Sequence, residues 1–261
     1  MKVLKFGGGC LKDAESIKKL PKILKNYNNE KIIIVLSAFG KMTNMLENEK
    51  FENVFHFVNS IMQNLKFNTD EKKSIIKNPL SPSHLGTDHR SLWDFVSSQT
   101  PNNLQKKSNR YNYFSYAERV CIGEYISSNI IHQYLTKCSI RNILLDASMS
   151  IRTSKWNNGT QCGLFHSSKT PKNNSPFYTE GFKKSNLDSD SVFLENQFLI
   201  TQGFISRKLP NNQKNKPNTN LVDTKLNPNL TASERTTLGR EGSDYSAAIF
   251  AELFGANEVI L

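Results

Sequence analysis

Two glycine-rich turns in this sequence carry the residue types that phosphate handling requires. The first is the KFGGG segment of Lys5–Gly9, which follows a short apolar stretch and precedes a helical pattern. Glycines let the backbone approach a ligand closely, and the N–H groups at the start of the following helix would attract a phosphate. Lys5 adds a full positive charge beside the turn. The segment is neither a Walker A loop nor a Gly-x-Gly-x-x-Gly fingerprint, and such a run of glycines alone is more often a plain tight turn.

The second turn lies near the end of the chain, in the TTLGREGSD segment of Thr236–Asp244. It leads into a helical pattern for which Ser243 or Asp244 is the expected N-cap. Its threonines, glycines and helix N–H groups suit a second contact with a phosphate or a carboxylate. One such turn is common, but two of them in one α/β chain favour a phosphate-handling site.

Three further segments could bind a substrate that carries amino and carboxylate groups. The SAFGKMTN segment of Ser37–Asn44 follows an apolar strand, at the position where parallel sheets bind ligands. Glu124 lies within a long helical pattern and could hold an amino group. Arg152 follows a strand and could grip a carboxylate with its guanidinium fork. Each has an ordinary alternative: a strand-to-helix loop, a solvated glutamate and a surface arginine, respectively.

The elements that would position these residues begin with a βαβ unit. Lys2–Phe6 and Lys31–Leu36 are patterned as strands, and apolar residues recur at helical spacing over Ala14–Leu24 between them. Asp13 suits the N-cap of that helix, and Pro21 should kink or shorten it. A strand–helix–strand order of this kind predicts an α/β fold with a parallel sheet.

The rest of the chain continues this alternation and is interrupted by polar stretches. We predict one domain over residues 1–261, with polar insertions near 154–190 and 207–229. The second insertion, Arg207–Asn229, has too few apolar residues to offset its ordering entropy and is predicted to be disordered. The other expected elements are helices over most of 45–107 with a loop at 78–90, a helix at Glu118–Leu135, strands at Asn142–Asp146, within Val192–Phe204 and at Glu258–Leu261, and a helix at Ser243–Phe254 that Gly255 ends.

Composition argues against several classes of function. The formal charge is +11, but the basic residues are spread along the chain, which makes nucleic-acid binding the weakest interpretation. Apolar runs such as Ile32–Leu36 are too short to span a bilayer, and the start of the chain lacks an export signal. None of the four cysteines forms a C-x-x-C pair, so neither zinc nor a disulfide framework is expected. We expect a cytoplasmic protein with no nucleic-acid or membrane partner.

In their order and character these segments resemble the motifs of the amino-acid kinase family, and they match its aspartokinase branch best. The string TTLGREGSDYSAA of Thr236–Ala248 is the most specific match. The matches are spread over nearly the whole chain, although the stretches between them are diverged. The other matching segments are Lys5–Gly8 for the opening motif, Ser37-Ala38 with Thr43-Asn44 for the second, Gly123-Glu124 with Ser127 for the third, and Arg152-Thr153 for the segment that binds a substrate carboxylate.

The resemblance implies a mostly parallel sheet between helix layers and transfer of the γ-phosphoryl group of ATP to the side-chain carboxylate of L-aspartate. The product would be 4-phospho-L-aspartate, at the first step of lysine, threonine and methionine synthesis. Lys5 would be the catalytic residue, and Mg²⁺ would be bound through ATP rather than by the protein. A homo-oligomer is left open. The implied phosphate contacts are Lys5, Gly7, Gly8, Gly9, Ser37 and Ser243, and the implied aspartate contacts are Thr43, Glu124, Arg152, Gly242, Ser243 and Asp244.

The sequence also departs from the pattern of that family. Gly9-Cys10 stands where the family usually has Ala-Ser or Thr-Ser, which removes a hydroxyl donor near the phosphates, and Ser154-Lys155 stands where an acidic residue is common. Arg207–Asn229 is longer than the usual hairpin, and Leu261 precedes the segment that grips adenine and ribose. We therefore expect a truncated catalytic domain without regulatory domains. Two alternatives remain: a non-catalytic remnant or partner subunit of an amino-acid kinase, and a glutamate or acetylglutamate kinase.

Overall fold

The computed structural model describes residues 1–77, 116–153, 177–178, 193, 197–208, 235–239 and 241–261. Its first elements are strand β1 (Lys2–Phe6), helices α1 (Ala14–Ile17) and α2 (Leu20–Leu24), a 3₁₀ turn (Lys25–Tyr27) and strand β2 (Ile32–Leu36). Strands β1 and β2 pair in parallel along their whole length. The predicted βαβ unit is confirmed, because a parallel pair requires a crossover connection and the two helices supply it.

The crossover helix is interrupted, as Pro21 predicted. Helix α1 ends at Ile17 and α2 begins at Leu20, so that Pro21 lies in the first turn of the new helix, where its missing N–H leaves no hydrogen bond unmade. Asp13 caps α1, since its carboxylate accepts a hydrogen bond from the Ser16 N–H at 2.7 Å. Both predictions for this helix are confirmed.

Beyond this unit the described chain alternates helices with short strands. The predicted helix at Glu118–Leu135 and the strands expected near 142–146, 198–200 and 258–261 are all present. The elements are α3 (Met42–Glu47), α4 (Phe51–Asn64), α5 (Thr69–Lys77), α6 (Tyr116–Lys137), β3 (Asn142–Leu145), α7 (Ala147–Ser150), β4 (Arg152–Thr153), β5 (Phe177–Tyr178), β6 (Phe198–Gln202), β7 (Ile205–Lys208), β8 (Arg235–Thr237), α8 (Gly242–Phe254) and β9 (Glu258–Ile260).

The main sheet has five strands, in the order β3, β6, β2, β1 and β9, and every pairing within it is parallel. Its central strand β2 reads IIIVL and is buried on both faces, which is typical of a parallel sheet covered by helices. One face packs Ile32, Ile34 and Leu36 against a cluster that includes α1 to α6. The other face packs Ile33 and Val35 against a cluster that includes α8. The predicted parallel sheet between helix layers is confirmed.

A second, smaller sheet was not predicted. Its order is β5, β4, β7 and β8, with β4 parallel to β7 and the other two pairings antiparallel. Arg152 therefore lies inside a strand rather than after one. Strand β7 also includes Arg207 and Lys208, so the predicted insertion at Arg207–Asn229 begins two residues too early. Those two residues are ordered because they pair with β4 and β8, a tertiary contact that composition does not reveal.

The start of α8 also differs from the prediction. Its N-cap is Glu241, not Ser243 or Asp244, whereas its end at Gly255 is as predicted, with the glycine in the left-handed conformation at φ 62°. The two expected caps are engaged elsewhere. Ser243 is hydrogen bonded to the Ser37 hydroxyl, and Asp244 pairs with Lys5. Tertiary partners therefore take both side chains away from the capping role.

The remaining predictions fall partly outside the described residues. These are the helical pattern and loop over 78–107, the insertion at 154–190 apart from the strand Phe177–Tyr178, and residues 209–229 of the second insertion. Cys10, Cys121 and Cys138 form no disulfide within the described part of the chain, and Cys162 lies outside that part. Among the helices that the structure describes, none is long and apolar enough to cross a membrane.

Candidate active site

A cavity of about 510 Å³ opens where β1 and β2 end at their carboxyl termini. This is the edge at which parallel sheets bind ligands. We call its two sides the glycine wall, formed by Lys5, Gly7, Gly8, Ser37, Ala38 and Gly40, and the helix wall, formed by Phe204, Thr237, Gly239, Glu241, Gly242, Ser243 and Asp244. Between the walls lie Thr43, Asn44 and Glu47 of α3, and Tyr116 and Glu124 of α6.

The glycine wall is held by close backbone packing. A side chain at Gly8 would place its Cβ 2.7 Å from the carbonyl oxygen of Gly40 and 3.0 Å from that of Ala38. The Gly40 N–H donates to the Gly8 carbonyl at 3.1 Å, which ties the loop after β1 to the loop after β2. Only glycine fits at Gly8. Gly9 is different, because it is exposed, has no atom of the described residues within 4 Å of a Cβ, and does not line this cavity.

The helix that opens on the cavity is α8, not α1. Helix α1 begins at Ala14, five residues beyond Gly9, and Asp13 already caps it. Gly242 and Ser243, in the first turn of α8, line the cavity instead. The dipole and free N–H groups that the sequence assigned to the first glycine turn therefore come from the second. The first glycine segment does not lead directly into α1 because residues 8–11 form a separate turn, in which the Cys10 and Leu11 N–H groups donate to the Gly7 carbonyl.

Two contacts join the walls. Lys5 Nζ lies 2.6 Å from Asp244 Oδ1, with the lysine side chain 17% exposed. Ser37 Oγ donates a hydrogen bond to Ser243 Oγ at 2.9 Å. The close approach depends on Gly203 after β6, since a Cβ there would lie 2.5 Å from the Ser243 Cβ. The predicted phosphate residues Lys5, Ser37 and Ser243 therefore lie together.

Glu124 is buried between the walls. The alternative interpretation, in which it is a solvated glutamate on the helix surface, is therefore wrong. Its side chain is on α6, which approaches the Ser37–Asn44 loop closely because Gly123 has no side chain; a Cβ there would lie 2.9 Å from that of Ala38. Burial raises the pKa of Glu124 to about 8, and hydrogen bonds from the Ala38 N–H and the Thr43 hydroxyl act in the opposite direction. Oε2 has no hydrogen-bond partner among the described residues. A buried carboxyl with an unmet oxygen is suited to a ligand that donates hydrogen bonds.

The loop beside Glu124 is fixed by a second residue of the same helix. Ser127 Oγ accepts a hydrogen bond from the Phe39 N–H at 2.9 Å, and both residues are buried. This bond holds the Ser37–Asn44 loop against α6 and so positions Thr43 beside Glu124. Gly123, Glu124 and Ser127 act on the same loop, which explains physically why they form one motif.

Arg152 is described through its backbone alone. In the small sheet it stands opposite Arg207 of β7 and Tyr178 of β5. The placement of its guanidinium group lies outside what the structure describes. Its contact with a substrate carboxylate stays a prediction, as do the ligand contacts assigned to every other candidate residue.

The cavity also contains residues that sequence reasoning did not single out. Thr237 and Glu241 belong to the second glycine-rich segment, and the Thr237 hydroxyl is buried without a hydrogen-bond partner in the described chain. Phe204 lies two residues beyond the end of β6. Glu47 and Tyr116 carried no signal, because they are far apart in the chain and meet only in the fold, where the Tyr116 hydroxyl donates to Glu47 Oε1 at 2.5 Å.

This arrangement can bind a ligand of mixed charge. Lys5, the α8 N-terminus and the hydroxyls of Thr237 and Ser243 are donors for anionic oxygens, whereas Ser37 and Thr43 already donate to Ser243 and Glu124. Glu124 offers a carboxyl oxygen to a protonated amine. Such a set of groups suits electrostatic stabilisation of a group in transfer rather than covalent chemistry by the protein.

Comparison with known proteins agrees with this architecture. The model of the amino acid kinase family matches residues 1–261. The structure of E. coli aspartokinase III in complex with aspartate and ADP has a TM-score of 0.63 and 21% identity, covering 99% of this chain and 48% of that chain. The same enzyme in complex with lysine and aspartate has a TM-score of 0.64 and 20% identity, with the same coverage.

The aspartate kinase of Clostridium acetobutylicum is also similar, with a TM-score of 0.57 and 18% identity over 99% of this chain and 46% of that one. At these identities the likeness concerns the fold. The chain spans about half the length of these solved structures. No curated protein sequence matches it significantly.

Proposed function

The chain belongs to the amino acid kinase family, and we propose that it acts as an aspartate kinase, which transfers the γ-phosphoryl group of ATP to the side-chain carboxylate of L-aspartate. The observation that carries the proposal is the cavity in which Lys5 and the α8 N-terminus face the same space as the buried Glu124. Phosphoryl transfer needs the first two, and an amino-acid acceptor needs the third. The TTLGREGSDYSAA segment around this wall supports aspartate as the acceptor.

Lys5 and the helix wall would act on the phosphoryl group. An oxygen of the aspartate side chain attacks the γ-phosphorus, the bond to the β–γ bridging oxygen breaks, and ADP leaves with that electron pair. Charge develops on the transferred oxygens, and Lys5 would neutralise it together with the N–H groups of Gly8 and Ser243. Asp244 holds Lys5 at 2.6 Å, which fixes the position of the ammonium before a ligand arrives. Ser243 would donate a hydrogen bond to the phosphates, and Ser37, whose proton goes to Ser243 Oγ, would orient that hydroxyl beside them.

Glu124 would receive the ammonium group of aspartate. Because burial raises its pKa to about 8, the carboxyl is mostly protonated near pH 7 while no cation is present. An incoming ammonium would favour the ionised form and would also satisfy Oε2. Thr43 and the Gly242 to Asp244 turn would contact the rest of the amino acid, and Arg152 would bind a carboxylate.

Mg²⁺ would accompany ATP and, when bound, would lower the charge of the phosphates. The described residues contain no group of three or more His, Cys, Asp or Glu side chains placed to hold a metal ion. Asp244 and Glu241 are carboxylates on the wall where phosphates would lie. In this proposal Mg²⁺ is held chiefly by the substrate phosphates, as is common for magnesium. A cytoplasmic role in amino-acid synthesis and a homo-oligomeric form belong to the same proposal.

The test is to incubate the full chain with Mg-ATP and L-aspartate in the presence of hydroxylamine. Acyl phosphates react with hydroxylamine to give a hydroxamate, so we expect a hydroxamate that depends on both ATP and aspartate. Glutamate and N-acetylglutamate are the matched acceptors. A hydroxamate with either of these and none with aspartate would assign another acceptor, and none with any of the three would overturn the proposal.

A further inference from the structure

Five residues other than glycine adopt positive φ in the described chain, and two of them line the cavity. Glu49, Lys66 and Ser139 each stand two residues past the end of a helix, where the left-handed conformation commonly ends a helix. Phe204 and Glu241 do not end helices. Residues held in a disfavoured backbone conformation tend to cluster at functional sites, which directs attention to these two.

Glu241 is disfavoured at its position in two ways. It has φ 61° and ψ 17° at the N-cap of α8, where an extended conformation is usual, and its side chain makes no capping hydrogen bond. Glutamate is also less suited to the left-handed region than glycine or asparagine. Its side chain is exposed, lines the cavity and has no hydrogen-bond or ion-pair partner among the described residues. Glu241 thus brings a negative charge to the edge of the cavity.

That carboxylate opposes the rest of its wall. The N-terminus of α8 attracts anions, whereas Glu241 puts a full negative charge beside it. Of the described charged groups in the cavity, Lys5 is paired with Asp244 and Glu47 accepts from Tyr116. Two polar atoms beside the same space, Glu124 Oε2 and Thr237 Oγ1, are buried without partners in the described chain, which suits a ligand that completes their hydrogen bonding.

We propose that Glu241 is a specificity-determining residue that makes phosphate binding at α8 depend on a divalent cation. Its carboxylate repels a bare polyphosphate, whereas a polyphosphate whose charge is roughly halved by Mg²⁺ meets about half of that repulsion. The inference rests on the proposed phosphate role of the helix wall. It adds that metal-free nucleotide and free phosphate are rejected by a named side chain.

The test is calorimetric titration of the full chain with inorganic tripolyphosphate at low ionic strength, with and without Mg²⁺. Low salt is needed because exposed charges are screened within about 10 Å at 0.1 M salt. We expect Glu241→Gln to bind metal-free tripolyphosphate on the order of tenfold more tightly than the native chain, since one nearby repulsive charge is removed. With Mg²⁺ present, the two proteins should differ by only about threefold, because the metal roughly halves the ligand charge and with it the repulsive free energy.

Two further variants distinguish the effect of the charge at Glu241 from the effect of its left-handed backbone and from that of a charge elsewhere on α8. Glu252→Gln makes the same charge change at an exposed site on the last turn of α8, about 16 Å from Glu241 along the helix, and should leave both affinities unchanged. Glu241→Gly removes the charge and also relieves the left-handed backbone, so it should match Glu241→Gln in metal-free affinity.

A metal-free affinity of Glu241→Gln no higher than that of the native chain would overturn the inference, and so would an equal gain in Glu252→Gln. A gain confined to Glu241→Gly would show that backbone strain, not charge, is responsible. The titration contains no phosphoryl acceptor, so its result does not depend on the outcome of the hydroxamate assay. Failure of aspartate phosphorylation and failure of the role of Glu241 are thus distinguishable.

Discussion

The two walls of the cavity are both rich in glycine, but they contribute to the cavity in different ways. Both are glycine-rich turns that follow strands. The glycine wall is close-packed, with Gly8 touching the backbone at Ala38 and Gly40. The helix wall instead opens a helix onto the cavity and tolerates a glutamate in the left-handed conformation at Glu241. The comparison teaches that a glycine turn can shape a site by close packing or by aiming a helix, and that its composition does not say which.

The largest expected effect on activity comes from removing Lys5, whose ammonium group links the two walls. Lys5→Ala should lower the rate of hydroxamate formation by about 10²–10³-fold, because a positioned donor to the developing charge is lost. The measurement is kcat with Mg-ATP and aspartate, together with far-UV circular dichroism to check folding. Lys12→Ala is the control, since Lys12 is an exposed lysine beside the same turn. Equal rates for Lys5→Ala and the native chain would remove Lys5 from the mechanism.

Glu124, which lies between the walls, should make stability depend on pH. Its pKa is about 8 in the folded chain against 4.5 ordinarily, so the folded state binds more protons than the unfolded state between these values. The contribution is present at low pH and is lost as pH rises through 8. Relative to Glu124→Gln, the native chain should lose about 4 kcal/mol of unfolding free energy between pH 5 and pH 8. Urea titrations of both proteins at several pH values measure this difference in unfolding free energy. A difference that does not change with pH would contradict the raised pKa of the buried Glu124 carboxyl.

Packing of the glycine wall can be tested with two neighbouring glycines. Gly8→Ala should destabilise the chain by about 1–3 kcal/mol, because its Cβ would overlap two carbonyl oxygens. Gly9→Ala should change stability by less than about 0.5 kcal/mol, because no atom of the described residues lies within 4 Å of its Cβ. Both are measured by urea unfolding. Equal losses in the two variants would mean that the glycine wall is not close-packed at Gly8.

The smallest expected effect concerns the hydrogen bond that joins the walls directly. Ser37→Ala should cost about 1 kcal/mol of stability, because Ser37 Oγ donates to Ser243 Oγ at 2.9 Å. Ser243→Ala and the double variant complete a thermodynamic cycle. A coupling energy of about 0.5–1 kcal/mol is expected for a single hydrogen bond between neighbours. Additive losses would show that the walls are not joined through these hydroxyls.

Much of the main sheet could be predicted from the sequence, because its strands are short apolar runs whose character is local. Ile32–Leu36 and Phe198–Gln202 are examples, and both are buried along their whole length. The small sheet could not be predicted, since strands such as Arg152–Thr153 have two residues and exist only through pairing with distant segments. A sequence pattern predicts an element when the apolar residues that become buried lie within that element, and not when the element forms only by pairing with distant segments.

The parts of the site that lie in dense motifs could be predicted. The features that depend on contacts between distant segments could not. The segments around Lys5, Ser37 and Ser243 were all marked by their residue types, and the fold brings them together. The burial of Glu124 was not predictable, because a single helical glutamate looks the same when solvated. The assignment of the N-cap to Ser243 or Asp244 failed for the related reason that Ser37 and Lys5, more than 200 residues away, engage those side chains.

The central claim is that an oxygen of aspartate attacks the γ-phosphorus of ATP in this cavity. It is tested most directly with aspartate labelled with ¹⁸O in the side-chain carboxylate, reacted with Mg-ATP and trapped with hydroxylamine. Hydroxylamine attacks the carbonyl carbon of the acyl phosphate and releases phosphate, so we predict phosphate that carries one ¹⁸O atom, with none above background from Lys5→Ala. Phosphate without ¹⁸O would show that water, not aspartate, is the acceptor and would contradict this account.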